Sequence, residues 1–178
     1  MVAVLTSRKA PTQAEFHAAI SSRADRWYSA CLKITRNTDL AQDAVQDALL
    51  SAWQKRHQFD HCSRLDTWIH RIAINAALQL LRKTRPGVFE PLSDEIAAPA
   101  PTPEHAHADA QLGETLAAAL THLSDIERVC FVLRHLEQWR LAEIADYIDG
   151  NVGTVKQAIF RAVKKLRTHM AALQREAL

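Results

Sequence analysis

The side chains in this sequence best equipped for chemistry are suited to binding, not to bond-making. Between Val155 and Leu166, Lys156, Gln157, Phe160, Arg161 and Lys164 lie on the polar side of a segment. Its apolar residues Val155, Ile159, Ala162, Val163 and Leu166 recur at helical spacing. Cations in that arrangement neutralise phosphates, and a side-chain amide can read a base edge. A second set, Arg71, Asn75, Gln79 and Arg82, makes a polar stripe that ends in Lys83 and Arg85, with no acid between Asp66 and Glu90. Trp68 lies beside it and Phe59 opens the preceding loop Phe59–Arg64. Such a surface suits unpaired nucleotides, because bases stack on aromatic rings while cations follow the backbone. A third set, Asp43, Gln46, Asp47 and Leu50, mixes charge with an apolar residue on a polar face, as partner surfaces do. Each set has an ordinary alternative: a solvated basic face, aromatics buried in a core, or acids complementing a helix dipole. The last accounts for Asp39 and Asp43 near a helix start but not for Asp47, further along.

Catalytic chemistry is missing from the pattern. There is no nucleophile–base pairing and no cluster of metal-ligand type, and four glycines provide no phosphate-cradling loop. No enzyme activity, cofactor or metal is expected. Cys31, Cys62 and Cys130 are odd in number and widely spaced, so three buried or half-buried free thiols are expected. His105 and His107 sit in a Pro-rich tract and read as linker composition.

The elements that must carry these sets are helical throughout. Residues 140–167 read as two helices around a turn: Leu141, Ile144, Ala145 and Ile148 share one face, and Asp149-Gly150 turns the chain. There the glycine is expected to supply positive φ, and Asn151 to cap the second helix. The unit reads as a helix-turn-helix, with a plain helical hairpin as the alternative. Upstream, a helix over 13–35 carries Phe16, Ile20, Trp27, Cys31 and Ile34. Asn37-Thr38 breaks and caps, and a second helix runs from Asp39 to about Gln58 with Leu40, Ala44, Val45, Ala48, Leu49, Ala52 and Trp53 as its apolar face. A third spans about Leu65 to Lys83, turning Ile69, Ile72, Ala73, Ala76 and Leu80 to the core. Later, Leu112, Leu116, Leu120 and Leu123 mark a helix, and Ser124 with Glu127 forms a capping box. The helix so capped carries Ile126, Val129, Cys130, Leu133 and Leu136. No segment alternates with period two, so the fold class is all-α.

Charge divides the chain. Residues 1–85 hold 13 Lys/Arg against 7 Asp/Glu, residues 86–127 none against 8, and residues 128–178 9 against 5. Five of the six prolines fall between 86 and 103. Two helical domains, 1–85 and 109–178, are therefore expected around an acidic, Pro-rich linker at 86–108. Basic domains suit a polyanion such as nucleic acid. No apolar run is long enough to cross a membrane, and Arg8 and Lys9 interrupt the N-terminus too early for a secretory signal, so a cytoplasmic location is expected.

The ordered pair of segments DLAQDAVQDALLSAW (39–53), with Phe59 to Lys83, and LSDIERVCFVLRHLEQWRLAEIADYIDGNVGTVKQAIFRAVKKLR (123–167) resembles bacterial sigma factors of the sigma-70 family. Within it, the chain is similar to the extracytoplasmic-function (ECF) group, which keeps a region 2 helical bundle and a region 4 helix-turn-helix joined by a linker. The resemblance implies that Asp43, Gln46, Asp47 and Leu50 dock on the β′ clamp of core RNA polymerase, with region 4 against the β flap. It implies that Phe59, His61, Ser63, Arg64, Trp68, Arg71 and Asn75 bind the melted −10 element. It likewise assigns −35 recognition to Thr154, Lys156, Gln157, Phe160, Arg161 and Lys164. Promoter DNA, core polymerase and an anti-sigma protein are the implied partners. A two-domain helix-turn-helix regulator acting without polymerase is the competing function. The chain also departs from the family pattern. Arg140 stands where Ser or Thr often caps, and Ala158 where Arg is frequent, which removes one potential DNA contact. Ile148-Asp-Gly-Asn replaces Leu-Gly-x-Ser, and His61-Cys62 stands where the loop often has Gly and a polar or basic residue.

Overall fold

A computed structural model describes residues 9–89 and 116–176. Leu112 and the linker histidines fall outside these residues, as does most of the linker; of the helix expected from Leu112 onward, residues 116–120 are described and helical, with Leu120 and Leu123 buried. Every regular element among the described residues is helical, and the chain divides into two compact units, Met1–Thr84 and Arg85–Leu178.

The first unit is a three-helix bundle of α1 (Gln13–Thr35), α2 (Thr38–Gln54) and α3 (Leu65–Thr84). A capping box starts α1: Thr12 Oγ1 accepts the Glu15 amide at 3.3 Å, and the Glu15 carboxylate accepts the Thr12 amide at 2.7 Å. The helix ends at Arg36, whose φ of 54° is left-handed. Asn37 then caps α2 through the Leu40 amide at 2.9 Å, as expected. Ala41, Ala44, Ala48 and Ala52 form the fully buried ridge of α2. Small side chains let α1 and α3 approach closely, so the bulky Leu40, Val45 and Leu49 fall to the edges of the contact. Trp53, expected inside, is 39% exposed. The helix also stops at Gln54, short of Gln58, and a 3₁₀ turn Arg56–Gln58 draws Phe59 into the core.

The inward stripe of α3 is Ile69, His70, Ala73, Ile74, Ala77, Leu78 and Leu81. Ile72, Ala76 and Leu80, expected to face the core, are half-buried instead. This helix carries apolar residues nearly all round, so periodicity leaves its rotation open. Contact with both α1 and α2 settles it, and it buries His70 in the process.

In the second unit, α4 (Asp125–Phe131) starts at the expected box, in which the Ser124 amide donates to Glu127 at 2.9 Å. It passes into a π-helical turn, Val132–Leu136, closed by the Glu137 amide on the Val132 carbonyl at 3.0 Å. Helix α5 (Leu141–Tyr147) follows, then α6 (Val152–Glu176). Ile126, Val129, Leu133, Ile144, Ile148, Val155 and Ala162 supply the core. The turn between α5 and α6 corrects one expectation. Positive φ falls on Asp149, at 53°, and not on Gly150. The Gly150 amide reaches back to the Ala145 carbonyl at 3.0 Å, which makes Asp149 the left-handed residue of a helix-ending motif. Gly150 eases the packing there, because a Cβ would sit 3.2 Å from Ile148 Cγ1 and push that side chain aside by a few tenths of an ångström.

Candidate nucleic-acid and polymerase interfaces

On α2, Asp43, Gln46 and Asp47 are exposed, and Leu50 is 61% exposed. These residues recur at three- and four-residue spacing, opposite the alanine ridge, so they form one continuous face. Trp53 extends its apolar end. Its ring meets Phe16 edge-on at 5.1 Å and carries the Arg56 guanidinium at 4.3 Å. The sequence reading placed Trp53 in the core and missed Arg56, for which spacing offers no signal.

The loop Phe59–Arg64 is organised from its ends. Phe59 is buried, packing on Trp68 at 5.3 Å and on His61 at 4.5 Å between ring centroids. It therefore serves as the floor of the loop and is not a free surface ring. Trp68 is half-buried; His61, Ser63 and Arg64 are exposed. His61 adopts a φ of 58° and sets its Nε2 3.1 Å from the Lys9 carbonyl oxygen. Asp66, in the first turn of α3, ties the loop down: Arg64 lies at 3.1 Å and Arg23 of α1 at 3.3 Å. Burial pushes the Asp66 carboxyl upward, but the hydrogen bond and charge of Arg64 outweigh it and hold the group below its ordinary range. Arg23, distant in sequence, was not foreseen.

Trp68, Arg71 and Asn75 follow at i, i+3 and i+7, one face of α3. Arg71 is exposed and Asn75 half-buried. Asn75 lines a groove of about 380 Å³ between α2 and α3 whose apolar floor is Ile72, Ala76 and Leu80. Asp47 and Ser51 rim it from α2, and Lys55 and Lys83 bring positive charge to its edges. The α2 face and the α3 stripe thus meet at this groove. Sequence periodicity assigned its floor to the core.

On α6, the Asn151 side chain accepts the Thr154 amide at 2.9 Å, as expected of a cap. Lys156, Gln157, Arg161 and Lys164 are exposed along one face, with Phe160 among them at 69% exposure. Thr154, half-buried, stands at its start. No acid occurs on this helix before Glu176. Ala158 does not belong to the displayed face. It is buried beside Val155 and Ala162, so its small size serves packing. Arg140 offers α5 no side-chain cap, having only donors, but Glu143 accepts the Arg140 amide at 2.9 Å and completes half a box. Lys165, on the far side of α6, reaches Glu127 at 2.8 Å and fixes the helix to α4.

Cys31 and Cys130 are buried, and burial pushes the Cys130 thiol up to about 12. Cys62 departs from the expectation of three sheltered thiols: it is exposed at the loop tip. Among the described residues no group of His, Cys, Asp and Glu is placed to hold a metal, and no helix is long and apolar enough to cross a membrane.

Comparison with known proteins follows the same division. Sigma-70 region 2 matches residues 20–86, and sigma-70 region 4 matches residues 113–166. The ECF RNA polymerase sigma factor SigW of Bacillus subtilis is 30% identical over 159 residues, covering 84% of this chain and 85% of that protein. The ECF sigma factor SigG of Mycobacterium tuberculosis is 33% identical over 162 residues, 78% of this chain but 44% of the relative. Among solved structures, the sigma factor RpoE of Bartonella quintana, crystallised with the anti-sigma factor NepR, shares the fold with a TM-score of 0.57. That match has 24% identity and covers 88% of this chain and 97% of the other. With both regions matched in order, and a relative aligned over most of its length, the chain belongs to the sigma-70 family of RNA polymerase sigma factors, in its ECF group.

Proposed function

We infer that this protein binds core RNA polymerase and directs promoter-specific initiation of transcription, acting in the cytoplasm and without catalytic chemistry of its own. The observation that carries this is the presence, in one chain, of an acidic partner face, an aromatic and amide-bearing α3 surface, and a capped basic helix. A regulator acting on duplex DNA alone would need only the last. In this reading Asp43, Gln46, Asp47 and Leu50 bind the β′ clamp, and the second unit rests on the β flap. The loop that carries His61, Ser63 and Arg64 above its Phe59 floor, together with Trp68, Arg71 and Asn75, engages the −10 strand once its bases leave the stack. Melting then draws on base capture: unstacking costs a few kcal/mol, repaid by contacts to the extruded base. The groove beside Asn75, apolar below and cationic at its edges, suits a planar base joined to a phosphate. Thr154, Lys156, Gln157, Phe160, Arg161 and Lys164 read the −35 duplex, where an exposed Phe meets thymine methyl groups.

A partner that silences such a factor must cover these same faces, and an anti-sigma protein is the proposed one. Run-off transcription with purified core polymerase tests the function. Promoter-dependent transcripts are expected from templates selected by the reconstituted holoenzyme. Complete absence of such transcripts, with core polymerase active on nicked DNA, would sink the assignment.

A further inference from the structure

The loop Phe59–Arg64 contains no regular structure, yet it must present base contacts in one geometry. Within it, Asp60 accepts the Cys62 amide at 3.0 Å, and Ser63 Oγ donates to the Arg64 carbonyl at 3.4 Å. A tie to its tip comes from 52 residues earlier, where His61 Nε2 lies 3.1 Å from the Lys9 carbonyl oxygen. A carbonyl only accepts, so this nitrogen carries the proton and donates. The same ring lies against Phe59 at 4.5 Å between centroids, and Phe59 in turn lies against Trp68. The imidazole is therefore wedged between the loop's aromatic floor and the segment that precedes α1. That segment is itself held: Pro11 is buried, and Thr12 and Glu15 exchange hydrogen bonds at the helix start. His61 also keeps a left-handed φ, a conformation that needs support from its surroundings in a residue other than glycine.

We propose that residues 9–12 brace the −10 loop, and that His61 is a positioning residue whose ring couples this brace to the base-reading side chains. The proposal rests on the reading of Phe59–Arg64 as the −10 loop. It assigns His61 to the protein's own backbone and leaves direct base contact to Ser63, Arg64, Trp68, Arg71 and Asn75. The advantage is entropic: a loop ordered before DNA arrives does not spend binding energy on ordering itself. Attachment of the brace to α1, outside the α2–α3 groove, lets it hold the loop without occupying the DNA path.

Two measurements test it on the full chain. In the free protein, removal of residues 2–10 should speed amide exchange at residues 60–63 by about fivefold or more, because exchange follows local opening. Unchanged exchange overturns the brace, whatever the loop binds. In the holoenzyme, the readout is affinity for a labelled single-stranded oligonucleotide carrying the non-template −10 sequence of a transcribed promoter. His61→Ala and removal of residues 2–10 should each weaken it about two- to tenfold, the range of one lost hydrogen bond. Combined, they should cost no more than either alone, since they break one tie. His61→Gln, whose amide can donate to the same carbonyl, should restore binding. Additive losses, or a His61→Gln variant as weak as His61→Ala, would make the ring a direct DNA contact and overturn the proposal. A wild-type holoenzyme indifferent to the −10 strand would remove the loop reading on which the proposal stands, a failure distinct from normal binding that is insensitive to the brace.

Discussion

Asp47 stands where the acidic face of α2 meets the rim of the α2–α3 groove, exposed and outside the core. Asp47→Lys should therefore weaken binding to core polymerase by roughly tenfold or more, since reversing a charge that faces a complementary surface costs more than deleting it. Circular dichroism of the variant should match the wild type. Unchanged affinity, measured by fluorescence anisotropy against core enzyme, would count against the clamp assignment. On α6, Lys156→Ala or Arg161→Ala should cost about 1–3 kcal/mol at the −35 element if the side chain reads a base. An equal loss on every duplex means phosphate contact only. Residues of these kinds were legible in the sequence because several charged side chains sharing one helical face, with no opposite charges among them to pair with, favour the outside. The burial of Phe59 and the exposure of Trp53 were not, because an aromatic ring is compatible with either place. The thiols give a direct check of burial. Iodoacetamide should modify Cys62 quickly in the native protein and leave Cys31 and Cys130 until it unfolds, as mass spectrometry of timed aliquots would show.

Among the elements, α6 depends on what happens just before it. Asn151 satisfies the Thr154 amide, so Asn151→Ala should destabilise the protein by about 1 kcal/mol and weaken −35 binding through fraying of the helix start. Asp149 works in the opposite sense. It holds a left-handed conformation that glycine adopts without steric cost, so Asp149→Gly should stabilise by about 0.5–1 kcal/mol. Urea denaturation of each variant measures both, and a destabilised Asp149→Gly would show that the Asp side chain does more than turn the chain. Motif reading identified the turn but gave the wrong residue the positive φ. A composition rule looks for glycine, whereas hydrogen bonding back to Ala145 decides which residue comes after the helix.

At the scale of the whole molecule, each compact unit has its own apolar core and its own proposed binding face. Expressed separately, residues 1–84 and 85–178 should each unfold cooperatively, as calorimetry would record; a fragment without a transition would reject independent folding. Acid should act on the second unit through Asp125. Burial raises its carboxyl, but the charge and hydrogen bond of Arg128, itself fully buried, outweigh this and hold the group below 3.8. A depressed folded value means that Asp125 contributes stability in full above the ordinary carboxylate range. That contribution drains away as pH falls through the folded value. Asp125→Asn should lower stability at neutral pH and flatten the decline below about pH 4, followed by chemical denaturation at stepped pH.

The sequence by itself determined the all-helical class, two helical segments of opposite charge to the stretch between them, the helix caps at Asn37, Ser124 and Asn151, and the family. All of these follow from local rules: spacing, capping chemistry and motif order act over a few residues and survive without knowledge of what packs where. Tertiary structure decided the rotation of α2 and α3, because a helix apolar on several sides can bury any of them until its neighbours choose. It likewise decided that Ala158 packs inward, and it opened a groove over Ile72, Ala76 and Leu80. It also brought His61 to the Lys9 carbonyl, a contact between residues too far apart for any periodicity to connect. Such contacts depend on the whole bundle closing, and only the closed bundle reveals them.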